Sequence, residues 1–271
     1  VIVSPLYVVF SVDEEKALPG YLVRFLKSKQ GRDQISFRST GTVRNSLKFD
    51  ALCLMDLHLP SMYEQRTRVD VMTRVERLIG LQFRYLSKLD DLRKSRFVEM
   101  FGDQKDNSKS LPQSKLGDVA FVGSSKRVFK SELVDSGVPF LRGTEVGAYG
   151  LGKTVSPSLF ITPEHYNKLI SHTGKPECGD LLMPSICPDG QIWEVDTEAP
   201  FYFKDGRVLW VKPNRELLNS TYLRFALKNL FESDFGTIAS GTTFAELKIV
   251  VLKRLTVTLP SLEDQNAFAA F

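Results

Sequence analysis

Three groups of residues in this chain have types and spacings that could do chemistry. The first, Gly147-Ala-Tyr-Gly-Leu-Gly152-Lys153-Thr154, matches GxxxxGK[ST], the pattern of a loop whose backbone N–H groups and lysine cradle nucleotide phosphates. Such a loop works only between an apolar strand and the N-terminus of a helix. Here Arg142-Gly-Thr-Glu145 makes a poor strand and Val155-Ser-Pro157-Ser158 cannot open a helix at the required place, so Lys153 reads as an ordinary loop lysine. The second, Asp234 with Glu246-Leu247-Lys248, has the D…ExK order of a metal-dependent nuclease, but the matching place in an internal repeat is Ser46-Leu47-Lys48, without the acid. The third is a set of hydroxyl and basic residues, led by Gly123-Ser124-Ser125-Lys126-Arg127 and joined by Lys130, Arg142, Thr144, Lys153, Thr242 and Thr243. These types suit nucleic acid: hydroxyls and Gly-flanked amides grip phosphate, and Arg and Lys read guanine edges. For Lys126-Arg127 a solvated turn is the plain alternative.

Other chemistries find little support. Cys53, Cys178 and Cys187 form no CxxC pair, and His58, His165 and His172 are scattered, so neither a disulfide framework nor a zinc site is indicated. There is no Gly-rich S-adenosylmethionine loop and no Asn/Asp-Pro-Pro-aromatic methyltransferase motif. We assign no catalytic residue and no metal ligand. With 42% hydrophobic residues the 271-residue chain can bury real cores, and no apolar run approaches the roughly 20 residues of a membrane span. A net charge of +4 permits nucleic acid without demanding it. The cysteine usage points to a reducing, cytoplasmic compartment, and the lack of a spanning run to no membrane partner.

The elements that must position these residues are organised by a duplication. Tyr21-Leu22…Leu26-Lys27, Gly41-Thr42…Leu47 and Leu59-Pro-Ser-Met-Tyr-Glu-Gln65 recur in the same order as Tyr222-Leu223…Leu227-Lys228, Gly241-Thr242…Leu247 and Leu259-Pro-Ser-Leu-Glu-Asp-Gln265, with one single-residue slip. A period of about 200 residues is far too long for a solenoid and means two copies of a whole domain. The chain opens on Val1 without a counterpart for most of the residues before Tyr222, and closes just after Gln265 would start another helix, so it reads as a partial chain. Between the copies, apolar residues at Val71, Val75, Leu78, Tyr85, Leu89 and Leu92 alternate by fours and threes once Gln82 is counted. That is a heptad seam, on a helix of roughly 55 Å, which should pair with a second helix begun at Gln265.

Within the second copy, 116–122 alternates toward a strand, 139–143 reads as a strand and turn, and Thr162-Pro163-Glu164 opens a helix to about Ile170. Residues 179–183 read as a strand feeding a loop to Gly190, with 192–195 its exit; 208–213 is another strand, and Ser220 or Thr221 caps a helix to about Phe231. The fold class is α/β in a mixed, α+β-like arrangement: short strands and helices joined to a long coiled-coil-type spacer helix.

These residues carry a family resemblance. Lys115-Leu-Gly-Asp-Val119, Gly123-Ser-Ser-Lys-Arg127, Gly137-Val-Pro-Phe-Leu-Arg-Gly143, Gly179-Asp-Leu-Leu182, Ser240-Gly-Thr-Thr243 and the repeated Leu-Pro-Ser-x-x-[Glu/Asp]-Gln resemble the DNA sequence-specificity (S) subunits of type I restriction–modification enzymes. Leu89-Asp-Asp-Leu-Arg-Lys-Ser-Arg-Phe97-Val-Glu-Met-Phe-Gly-Asp103 resembles that family's central helix and its exit. The resemblance implies that 1–66 is the C-terminal part of a first target-recognition domain, 67–101 a spacer helix, 102–265 a second target-recognition domain and 266–271 the start of a second spacer. It implies a non-enzymatic subunit that reads double-stranded DNA through the third group of residues above. It further implies recruitment of DNA methyltransferase (modification) and restriction/translocase subunits around the helices. S-adenosylmethionine, ATP and Mg would then belong to those partners, with no cofactor in this chain. A nuclease or P-loop NTPase, and a coiled-coil adaptor that binds protein, are the alternatives.

Overall fold

In the computed structural model, which describes residues 7, 9–41, 45–239 and 246–271, the chain divides into two units, 1–89 and 90–271. The boundary falls inside the long helix. The first unit holds α1 (Pro19–Lys27), α2 (Lys29–Arg38), α3 (Phe49–Cys53) and the start of α4 (Met62–Phe101). Ser28 separates α1 from α2: its extended backbone breaks the first helix and its hydroxyl caps the second by accepting from the Gly31 N–H. The seam residues Val71, Val75, Leu78, Gln82, Tyr85, Leu89 and Leu92 are all exposed along α4.

The second unit is built on β1 (Gln113–Lys115), α5 (Leu116–Val119), β2 (Ala120–Gly123), β3 (Val138–Leu141), α6 (Gly143–Gly150), β4 (Phe160–Ile161) and α7 (Pro163–Thr173). There follow β5 (Leu181–Pro184), β6 (Trp193–Glu194), β7 (Tyr202–Phe203), β8 (Val208–Pro213), α8 (Ser220–Ile238), α9 (Ile249–Arg254), β9 (Thr256–Thr258) and α10 (Leu262–Ala269). The strands form a four-stranded sheet in the order β2-β8-β5-β6, a three-stranded sheet β4-β3-β7 and a ribbon β1-β9. All neighbours are antiparallel except β3 and β7. One face of the larger sheet packs on α8 and α9 through Leu181, Met183, Val211, Leu223 and Leu227, joined by Phe97, Phe101 and Phe268. Because β5 and β8 are covered on both faces, Leu181–Met183 and Val208–Val211 are continuous apolar runs rather than alternating ones.

The duplication is present as one hydrogen-bond pattern made twice. Gln65 and Gln265 are both fully buried. The Gln65 amide oxygen accepts from the Leu18 N–H at 2.9 Å, and its nitrogen donates to the carbonyls of Lys16 and Pro60. Gln265 accepts from Asn219 N–H at 2.8 Å and donates to Leu217 and Pro260. Ser61 and Ser261 cap the helices that follow, each with the acid three residues on, Glu64 or Asp264. Three positions of Leu-Pro-Ser-x-x-[Glu/Asp]-Gln therefore have a use: a serine cap, its reciprocal acid, and an amide that ties the outgoing helix to the loop before α1 in one copy and before α8 in the other.

The structure departs from the sequence reading in places. Leu116–Val119 is one helical turn, and the strand begins only at Ala120. Gly143–Gly150, where the sequence reading places a turn at Gly143 and no helix, is a helix. Helix α8 runs on to Ile238 past a kink at Asp234, and α7 reaches Thr173.

Candidate nucleic-acid interface

Helix α6, the loop after β5 and the turn between β7 and β8 enclose a groove of about 630 Å³. Four cations line it, Arg142, Lys153, Lys204 and Arg207, with Thr144, Ser185 and Gln191 among the polar groups.

Glycine lets α6 come this close. A Cβ on Gly150 would lie 2.7 Å from the Gln191 carbonyl carbon, and one on Gly147 would lie 3.2 Å from Pro184 Cγ. The helix then stops in a Schellman turn: Gly152 takes φ +70°, its N–H donates to the Tyr149 carbonyl, and the Lys153 N–H donates to Ala148. This disposes of the phosphate-loop match. Gly147 lies within a helix and Gly152-Lys153 ends one, the reverse of the strand–loop–helix order that presents free N–H groups to phosphate.

At the other end of α6 the Arg142 N–H donates to Glu145 at 2.9 Å, the Arg142 guanidinium pairs with the same carboxylate, and the Thr144 hydroxyl donates to it at 2.9 Å. Burial pushes the Glu145 carboxyl up, but hydrogen bonds from Arg142, Thr144 and backbone N–H outweigh it and hold its pKa at about 2. Arg142 is thereby fixed as a fork at the rim. Arg207 is held by Glu246 at 2.9 Å, and the same carboxylate oxygen accepts from the buried Ser185 hydroxyl at 2.7 Å. Asp234, the other acid of the nuclease-like pattern, meets Lys105 instead. Among the described residues Lys153 and Lys204 have no acidic partner within 4.0 Å.

The Ser124–Arg127 loop lies beside the β7–β8 turn and is bonded to it. The Ser124 hydroxyl donates to the Val208 carbonyl at 2.6 Å and accepts from the Gly206 N–H; the Ser125 hydroxyl donates to Phe203; the Lys126 N–H donates to the Tyr202 hydroxyl. Both seryl protons are thus committed to the protein's own carbonyls. Lys126 and Arg127 are exposed, Arg127 lying 3.3 Å from Asp205, and Lys130 is exposed in a 3-10 turn, Lys130–Glu132. Thr242 and Thr243 lie outside the described residues. Of the sequence-derived set, Arg142, Thr144 and Lys153 meet in the groove. Lys204, Arg207, Ser185 and Gln191 were missed. The signal was there for two of them: Lys204-Asp-Gly206-Arg207, with Gly206 at φ +64°, is a tight turn that presents two cations between strands. The Gly179-Asp180 pair serves the fold. Asp180 is fully buried and accepts from Trp210 Nε1 at 2.8 Å and from the Glu177 N–H at 3.0 Å.

No family model matches the chain. The type I restriction enzyme MjaVIII specificity subunit of Methanocaldococcus jannaschii is 24% identical over 271 residues, which cover 92% of this chain and 61% of that protein. An inferred type I restriction enzyme specificity subunit of Haemophilus influenzae is 28% identical over 153 residues, 56% of this chain and 37% of that protein. The chain thus spans less than two thirds of these relatives' length. The S subunit of the type I restriction–modification system of M. genitalium matches over 96% of this chain and 66% of its own, with a TM-score of 0.56 at 14% identity. The fold, a mixed helix-and-sheet module continuous with a long helix, is therefore that of a restriction–modification S subunit. Its sequence relatives are likewise type I restriction enzyme specificity subunits.

Proposed function

We propose that the chain is a non-catalytic DNA-recognition subunit of a type I restriction–modification enzyme, and that the groove of the second unit reads one half of a bipartite site. The convergence of Arg142, Lys153, Lys204 and Arg207 on one concave surface carries this reading. Lys153 and Lys204 serve phosphate as mobile charges, while Arg142 and Arg207, braced by Glu145 and Glu246, are forks held for a base edge or a phosphate. Methyl transfer and cleavage fall to modification and restriction subunits, which hold S-adenosylmethionine, ATP and Mg. The exposed seam from Val71 to Leu92 is the surface offered for assembly, since a heptad row of apolar side chains in water gains by covering.

The test is DNA selection and titration with modification subunits present. Replacing Lys204 and Arg207 by alanine should reduce the slope of log affinity against log salt by about two phosphate contacts. An unchanged slope and affinity would remove this groove from the interface.

A further inference from the structure

Two side chains in the groove of the second unit are of a type that contact with phosphate does not call for. Leu151 and Ile186 both line it and remain 50% and 37% exposed. The backbone that carries each is held in place. The Leu151 N–H donates to the carbonyls of Gly147 and Ala148 at 3.2 and 3.1 Å, directly before the Gly152 turn that ends α6. Ile186 is the one exposed residue from 181 to 187, with Ser185 and Cys187 buried on either side. The Ser185 N–H donates to the Arg207 carbonyl at 2.9 Å and its carbonyl accepts from the Leu247 N–H at 2.7 Å. With both neighbours packed inward and Ser185 pinned, Ile186 is turned outward, and its β-branched side chain is stiff at χ1.

A single exposed leucine or isoleucine is ordinary on a protein surface. Here two are held on separate elements of one groove, among Arg142, Lys153, Lys204 and Arg207. That combination fits a ligand that is anionic along its edges and apolar at defined points within. The major groove of duplex DNA is such a surface: phosphates flank it, and the 5-methyl of thymine is the apolar group that its base pairs present there. Cations and hydroxyls have no means of sensing that methyl. Gln191 lines the same groove, its Oε1 placed 3.1 Å from where a Cβ on Gly147 would lie, and glutamine amides pair with N6 and N7 of adenine, the partner of thymine.

We propose that Leu151 and Ile186 are specificity-determining residues that form an apolar subsite for the thymine 5-methyl of a T·A pair. The assignment rests on the groove being the surface that reads DNA. Docking takes the methyl out of water against two side chains that are already in position, so little ordering opposes the gain. One methyl covered in this way is worth about fourfold in affinity. A cytosine or a uracil in the same place forfeits it.

The probe is the duplex selected by the full chain with modification subunits present, remade with deoxyuridine in place of each thymine in turn. Each replacement deletes one methyl and leaves every hydrogen-bonding group of the pair unchanged. Uracil at one or two positions should weaken binding about fourfold. Leu151→Ala and Ile186→Ala should weaken binding of the thymine duplex and bring the thymine-to-uracil affinity ratio at those positions close to one. The uracil scan itself uses the unaltered protein, so it decides the matter even if a variant misfolds. The proposal fails if no uracil weakens binding, if the selected sequence contains no thymine, or if folded variants keep the parent ratio. A loss that is equal for thymine and uracil duplexes also overturns it, since the side chains would then act as wedges or cover the sugars. Lys204→Ala with Arg207→Ala, titrated against salt alongside, tells the two failures apart. An unmoved salt slope removes the groove from the interface and this assignment with it, whereas a reduced slope without any uracil effect removes the thymine assignment alone.

Discussion

The Glu145 carboxylate offers a test that separates the electrostatics of the groove from its packing. Its pKa falls from 4.5 to about 2, and at about 1.36 kcal/mol per unit this is worth about 3 kcal/mol at most. Arg142, its main partner, is 46% exposed, so screening brings the expected value to about 1–3 kcal/mol. The sign follows from the direction of the shift. A carboxyl whose folded pKa is depressed stabilises fully above its unfolded pKa and loses that contribution as pH falls through the folded one. Glu145→Gln, which cannot accept from Arg142 and Thr144 with both of its terminal atoms, should therefore destabilise the second unit most at pH 7. By pH 3.5 the gap to the unmodified chain should have narrowed by about 1 kcal/mol or somewhat less. Urea denaturation followed by tryptophan fluorescence is the assay, because both tryptophans, Trp193 and Trp210, lie in the second unit. A difference that stays constant from pH 7 to pH 3.5 would show that packing, not the charged pair, holds the start of α6.

Gln265→Leu should cost the second unit about 2–4 kcal/mol, since it strands the Asn219 N–H and the carbonyls of Leu217 and Pro260; a loss below about 0.5 kcal/mol in the same denaturation assay would show the clamp to be dispensable. Gly150→Ala should destabilise by about 1–3 kcal/mol despite alanine's better helix propensity, because its Cβ meets the Gln191 backbone; a stabilised variant would mean that α6 does not lie against that loop. Leu78→Glu with Leu89→Glu, at exposed positions, should leave the unfolding of the second unit within about 0.5 kcal/mol of the parent. The same pair should abolish assembly with modification subunits in sedimentation runs, and assembly at wild-type strength would exclude the seam as the docking face.

What could be read from the sequence was what local chemistry decides. The Thr162-Pro163 start of α7, the apolar runs of β5 and β8 and the repeated Leu-Pro-Ser motif each carry their own cause, a cap, a two-sided burial or a reciprocal acid. Helix α6 was missed because its glycines argue against a helix. They are there for a contact with Pro184 and Gln191, some 40 residues away in the chain, that no local window contains. Leu116–Val119 was misread because its apolar pair at i and i+3 sits within an alternating stretch, and a single helical turn is too short to display a period. In the groove, Arg142, Thr144 and Lys153 were found by residue type and Lys204 and Arg207 were legible as a turn, whereas Ser185 and Gln191 join them only through the pairing of β5 with β8.

The paired glutamines have a consequence for how such chains can be rebuilt. In each copy the amide fixes how the outgoing helix departs from its own module, using only backbone carbonyls and one backbone N–H of that module. Backbone groups are indifferent to the residues that carry them, and here Leu18 stands where Asn219 does, and Lys16 where Leu217 does. The joint is therefore blind to the rest of the module's sequence. Recombination or gene fusion that cuts at Leu-Pro-Ser-x-x-[Glu/Asp]-Gln would exchange whole modules while leaving the exit angle of the helix unaltered, so that the content of a module and the way it is mounted become separate heritable traits.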